Sequence, residues 1–106
     1  MTDTRRILVM FDLPVKTRTK RRNAARFRRF LLKDGYDMLQ FSVYVRIVSG
    51  PDAAEKHFRR LHANLPPEGS VRCLQLSERQ FSAMHLMLGS HTRQEQKVGK
   101  NRMLLF

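Results

Sequence analysis

The chain has a single cysteine, no tryptophan and only nine acidic residues. A lone Cys73 excludes an internal disulfide, so the fold has to rest on its apolar core, and we read Cys73 as part of that core. No apolar stretch approaches the roughly 20 residues that a membrane-spanning helix needs. The first apolar run, "ILVMF" at 7–11, ends in Asp-Leu-Pro with no small-residue cleavage site, which argues against a signal peptide. Together these features lead us to expect a cytoplasmic protein with no membrane association. There is no glycine-rich phosphate loop, which counts against a nucleotide-binding enzyme. His57, His62, His85 and His91 fall in no HxxxH, HxH or Cys/His spacing that would hold zinc, and Ser42 has no base evident near it in the sequence.

The shortage of acids is the informative scarcity. Against nine Asp and Glu stand 21 Lys and Arg, a formal charge of +12 on 106 residues, and such an excess calls for a polyanionic partner. Nucleic acid is the first candidate and an anionic membrane surface the second. With 42% apolar residues the chain has the composition of a folded protein, and its length suits one domain.

Residues 5–12 read as a strand. Ile7 to Phe11 are apolar without alternation, so both faces of that strand need cover. A helix follows, opened by Pro14 and either Thr17 or Thr19, running to about Asp34 and stopped by Gly35. Ala24, Phe27 and Leu31, with Phe30 at the margin, form its apolar stripe. Residues 36–48 are too long for one strand in so small a domain. They divide into strands at about 36–40 and 42–48, with a reversal near Phe41 and Ser42. "SGPD" at 49–52 starts a second helix, with Ser49 as N-cap and Asp52 in a capping-box position. Its buried stripe is Ala54, Phe58, Leu61 and Leu65, and "PPEG" ends it. "SVRCLQLS" at 70–77 is a fourth strand.

The order β-α-β-β-α-β is that of the ferredoxin-like fold, an α+β antiparallel sheet with two helices on one face. Its first strand lies inside the sheet, where a continuous apolar run belongs. The helices cover one face only, so a second copy of the chain is the expected cover for the other, which predicts a homodimer. Residues 1–89 make this domain. Beyond residue 77, "ERQFSAMHLMLG" reads as a turn of helix and then a strand. Residues 90–106 form a tail whose closing "MLLF" suits docking on a partner chain or the second copy.

Two features carry chemistry. Asp12 ends the apolar strand. Its plain reading is a turn-forming Asp in "DLP" that bonds nearby backbone N–H groups. Its functional reading is a ligand for a divalent cation, which a two-fold dimer would complete with a second carboxylate. The second feature is the first helix. Residues 13–33 hold nine basic residues and no acid. Arg18, Arg22, Arg26, Arg29 and Lys33 fall within about a quarter turn of the helix and form one cationic ridge, suited to tracking a phosphate backbone. Arg46, Arg72 and Arg79 lie on or beside strands and could extend it.

An Asp ending the first strand, Gly35 closing a basic helix, "QFSVYV" at 40–45, "SVRCLQLSERQF" and then "MHLMLG" occur in an order and spacing that resembles one known family. It is the small, non-integrase subunit of the CRISPR spacer-acquisition complex, also named as the CRISPR-associated endoribonuclease family. The similarity spans roughly residues 6–89, and the tail "QEQKVGKNRMLLF" resembles members from single-effector systems. The resemblance implies a ferredoxin-like homodimer bound to the integrase subunit and to double-stranded DNA, with Mg²⁺ at the dimer interface. It carries the roles of metal ligand and catalytic residue onto Asp12. The ridge is carried over only as a group, because the segment from Asp12 to Gly35 is longer than in short members.

Two functions compete within that family: a metal-dependent nuclease acting on RNA or DNA, and a duplex-binding scaffold whose integrase partner performs strand transfer. A long basic ridge and a single acid without a nearby base favour the scaffold. An RNA-recognition module on the same fold would want stacking aromatics on the third strand, where only Tyr44 is available.

Overall fold

The computed structural model describes residues 3–90. Strand β1 (Thr4–Asp12) leads into helix α1 (Arg18–Lys33). A hairpin of β2 (Asp37–Gln40) and β3 (Val43–Ser49) follows, then helix α2 (Gly50–Ala63), strand β4 (Ser70–Ser77) and a short helix α3 (Glu78–Ser82). The four strands form one antiparallel sheet in the order β2-β3-β1-β4, so β1 is interior, as its unbroken apolar run requires.

Alternation along β1 divides its side chains between two cores. Ile7, Val9 and Phe11 face the long helices, where they meet Phe27 and Leu31 of α1, Ala54 and Leu61 of α2, and Tyr44 and Val48 of β3. Phe11 packs edge-on against Phe27 and stacks on Tyr44. Each such buried side chain contributes about 1.5–3 kcal/mol. Tyr36 is buried in the same core, its hydroxyl lacks a hydrogen-bond partner among the described residues, and burial pushes that hydroxyl's pKa up. The opposite face of β1 carries Leu8, which packs with Val45 of β3 and with Phe81 of α3.

That second core revises one expectation. Part of the face assigned to a second copy is covered by the chain's own α3, whose Ser77–Gln80 capping box was not read from the sequence. The Ser77 hydroxyl accepts from the Gln80 N–H, and the Gln80 side chain accepts from the Ser77 N–H, at 3.1 and 2.9 Å. The turn of helix expected after residue 77 is therefore present, whereas residues 83–90 contain no strand within this single chain. The expected docking of "MLLF", like most of the tail at 90–106, falls outside the described residues.

Other boundaries follow local chemistry. Thr17 caps α1, its hydroxyl accepting from the Lys20 N–H at 3.1 Å, which decides between Thr17 and Thr19. Gly35, at φ +94, ends that helix, and Ser42 takes the left-handed conformation in the β2–β3 reversal. Ser49 stands at the start of α2 but makes no side-chain cap, because it is still a ladder residue opposite Thr4. Leu65 lies past the helix end and is 45% exposed; the buried positions of α2 are Ala54, His57 and Leu61, with Phe58 partly buried against them. Cys73 is exposed on the edge strand β4, so it is no core residue. No helix among the described residues is long and apolar enough to cross a membrane.

Candidate nucleic-acid interface and the Asp12 carboxylate

The end of β1 is shaped by close backbone packing. Asp12 is the last ladder residue, paired with Ser70 of β4, and Met10 two residues earlier is paired with Arg72. Asp12, Ser70 and Arg72 therefore share the sheet face away from the long helices. Met10 and Phe11 complete a shallow hollow of about 250 Å³ around them. Gly69 closes the turn into β4 with φ +106, and a Cβ there would stand 2.7 Å from the Asp12 carbonyl oxygen. Gly69→Ala is thus expected to cost about 2 kcal/mol or more, through both the left-handed backbone and the clash. A thermal melt checks this; an unchanged midpoint would mean that the strand end yields freely.

The Asp12 carboxylate is exposed and has no hydrogen-bond or ion-pair partner among the described residues. The backbone-bonding role of a turn Asp is therefore not the one it plays. Its oxygens suit a hard divalent cation. Among the described residues, however, no group of three or more His, Cys, Asp or Glu comes together to hold a metal. One chain brings one carboxylate.

The ridge is built as its periodicity predicts. Ala24, Phe27 and Leu31 turn inward, and Arg18, Arg22, Arg26, Arg29 and Lys33 are all exposed. None of the five makes an ion pair with a described residue. The row is about 22 Å long at a helical rise of about 1.5 Å per residue. Its first turn has no acidic residue, so Arg18 and Arg21 sit unfavourably at the positive end of the helix dipole. The helix is held by its buried stripe, and the ridge is charge that the fold does not neutralise. Of the other cations, Lys20 approaches Glu68 at 3.7 Å, Arg21 donates to the Val15 carbonyl and Arg28 lies over the Phe41 ring.

Arg46 does not extend this surface. Its guanidinium lies over Gly35 and donates to the Asp34 carbonyl at 2.6 Å, capping the end of α1. Arg72 and Arg79 are exposed. Sequence reasoning also missed the cluster around Asp34. The Asp34 carboxylate, 7% exposed, meets His57 Nδ1 at 2.9 Å and accepts from Arg60 at 2.7 Å. Burial by itself would raise the Asp34 pKa, but the hydrogen bonds and charges of His57 and Arg60 outweigh it and hold the group below its ordinary value. The available signal was the spacing of His57 and Arg60, three apart and so on one side of α2.

The family model described as CRISPR associated protein Cas2 matches residues 5–84 of this chain. The chain belongs to the Cas2 family. A Cas2 relative from Acidovorax ebreus, named CRISPR-associated endoribonuclease Cas2, is 57% identical over 101 residues, covering 95% of this chain and 99% of the relative. A relative of the same name from Campylobacter jejuni is 42% identical, covering 95% and 71%. Another from Flavobacterium psychrophilum is 43% identical, covering 78% and 72%. The matched segment holds all of the sheet but Thr4, both long helices, Asp12 and the ridge, so the Cas2 assignment covers every candidate residue.

Proposed function

We infer that this Cas2 protein is a nucleic-acid-holding subunit of CRISPR spacer acquisition. As a homodimer it grips double-stranded DNA and, together with the integrase subunit, positions it for insertion in the repeat array. The observation that carries this reading is the unneutralised row of five exposed cations along α1. Such a row binds phosphates in sequence without reading bases, which is what holding fragments of arbitrary sequence demands. The homodimer is supported by the apolar surface left on the sheet face that α3 only partly covers, where Leu74 is 48% exposed, with Met84 beyond α3 at 40%.

A second reading, a metal-dependent endonuclease acting on RNA or DNA, is favoured by the uncommitted Asp12 carboxylate and by the name of the relatives. Two copies of Asp12 would hold Mg²⁺ between them, and the bound ion would supply charge neutralisation and a more acidic water. Arg72 and Ser70 line the same hollow and would face the phosphate.

Replacing Arg22, Arg26 and Arg29 together by Glu tests the first reading. Duplex affinity is expected to fall roughly hundredfold or more, and the log–log salt slope to flatten by about 3 for each protomer of the dimer that grips the duplex, one for each lost phosphate contact. A slope unchanged from wild type would put the DNA elsewhere on the molecule.

A further inference from the structure

The far half of the ridge is one wall of a groove. Arg26, Arg29 and Lys33 of α1 face Arg60 and Asn64 at the end of α2 across a cleft of about 740 Å³, with Phe30 and Asp34 completing its lining. Four cations thus converge on a space containing one carboxylate, and that carboxylate is already committed to His57 and Arg60. The commitment matters for Arg60. One arm of its guanidinium is pinned by the nearly buried Asp34, while its side chain remains 51% exposed beside the opening. Phe30 is held by stacking on the buried Phe27 and gives the groove an apolar surface.

We propose that the α1–α2 groove binds a single-stranded nucleic-acid segment, its phosphates held between Arg26, Arg29 and Lys33 on one side and Arg60 on the other. The inference rests on the nucleic-acid reading above and adds a second, strand-selective mode to it. A duplex lying along the ridge presents its phosphates to one wall only. A cleft with cations on both walls and an aromatic lining suits an unpaired backbone whose bases stack, the combination that single-strand binders use. Continuity supports this occupant over an acidic peptide: the α1 wall is the same row of cations as Arg18 and Arg22, so an unpaired strand continuing from a duplex held at Arg18 and Arg22 would run into the groove.

Fluorescence anisotropy with the full chain tests the assignment, using a blunt duplex and the same duplex carrying a short single-stranded extension. The wild type is expected to prefer the extended duplex. Arg60→Gln, which keeps a donor toward Asp34, should cut that affinity roughly five- to tenfold and flatten the salt slope by about 0.7, while blunt-duplex affinity stays within about twofold. Lys33→Gln, on the opposite wall and free of any described ion pair, guards against a folding defect at the Asp34 cluster; because Lys33 also belongs to the ridge, it should weaken binding of both substrates, the extended duplex by the larger factor. Equal losses for blunt and extended duplexes, or no loss for either, would overturn the proposal. So would poly-glutamate displacing the extension as well as an oligonucleotide of equal charge. Arg18→Glu with Arg22→Glu separates the two readings: normal blunt-duplex binding by that variant would refute the ridge itself, whatever the groove does.

Discussion

On the scaffold reading, Asp12→Asn is expected to lower any Mg²⁺-dependent cleavage by the isolated protein about a hundredfold or more, while leaving integration by the full complex largely intact. Asn keeps the size and the strand end but loses the negative charge that would hold a cation. Asp12 has no described partner, so the substitution breaks no visible contact, and a change in activity cannot be blamed on the fold. Side-by-side cleavage and integration assays, with a melt to establish folding, give the answer. Loss of integration with normal stability and normal duplex binding would sink the scaffold reading and make Asp12 part of strand transfer. Retained cleavage would remove Asp12 from the chemistry altogether.

The largest effect on stability is expected at the other end of β1. The Arg6 side chain is wholly buried, and Glu78 meets it with two oxygens, at 2.8 and 2.9 Å, while its guanidinium lies 4.3 Å over the Phe81 ring. Glu78→Ala takes that carboxylate away from a desolvated cation and should cost about 3 kcal/mol. The consequence is local first. A five-residue helix has no stability of its own, so α3 should loosen, withdraw Phe81 and expose Leu8 and Val45. Denaturant melts and binding of a hydrophobic dye measure the two parts. The double variant Arg6→Met, Glu78→Leu should recover most of the loss, since an apolar pair needs no desolvation compensation. A loss under 1 kcal/mol for Glu78→Ala would show that α3 does not depend on the Arg6–Glu78 pair.

Much of this was legible in the sequence because it depends on local spacing. The period of Ala24, Phe27 and Leu31 determines which side of α1 turns inward, and therefore that Arg18, Arg22, Arg26, Arg29 and Lys33 face solvent. The unbroken run Ile7 to Phe11 required an interior strand, and β1 is interior. The candidate residues sit where those patterns put them. What failed was judgement of long side chains whose partners are distant in sequence. Arg46 looked like surface charge, yet it caps α1 from a neighbouring strand; Leu65 looked like core, yet the helix stops two residues before it.

The sequence by itself determined the fold class, the cationic ridge and the place of Asp12 at a strand end, because backbone periodicity and charge are properties of neighbours along the chain. Only the tertiary structure decided which charges are spent. Arg6, Asp34, Arg46, His57 and Arg60 are committed to one another and to helix ends by contacts spanning 12 to 72 residues of sequence. Among the described residues, Asp12 and the five ridge cations are left uncommitted. Desolvation makes that distinction: a buried charge must find its partner within the fold, and an exposed one is available for a ligand.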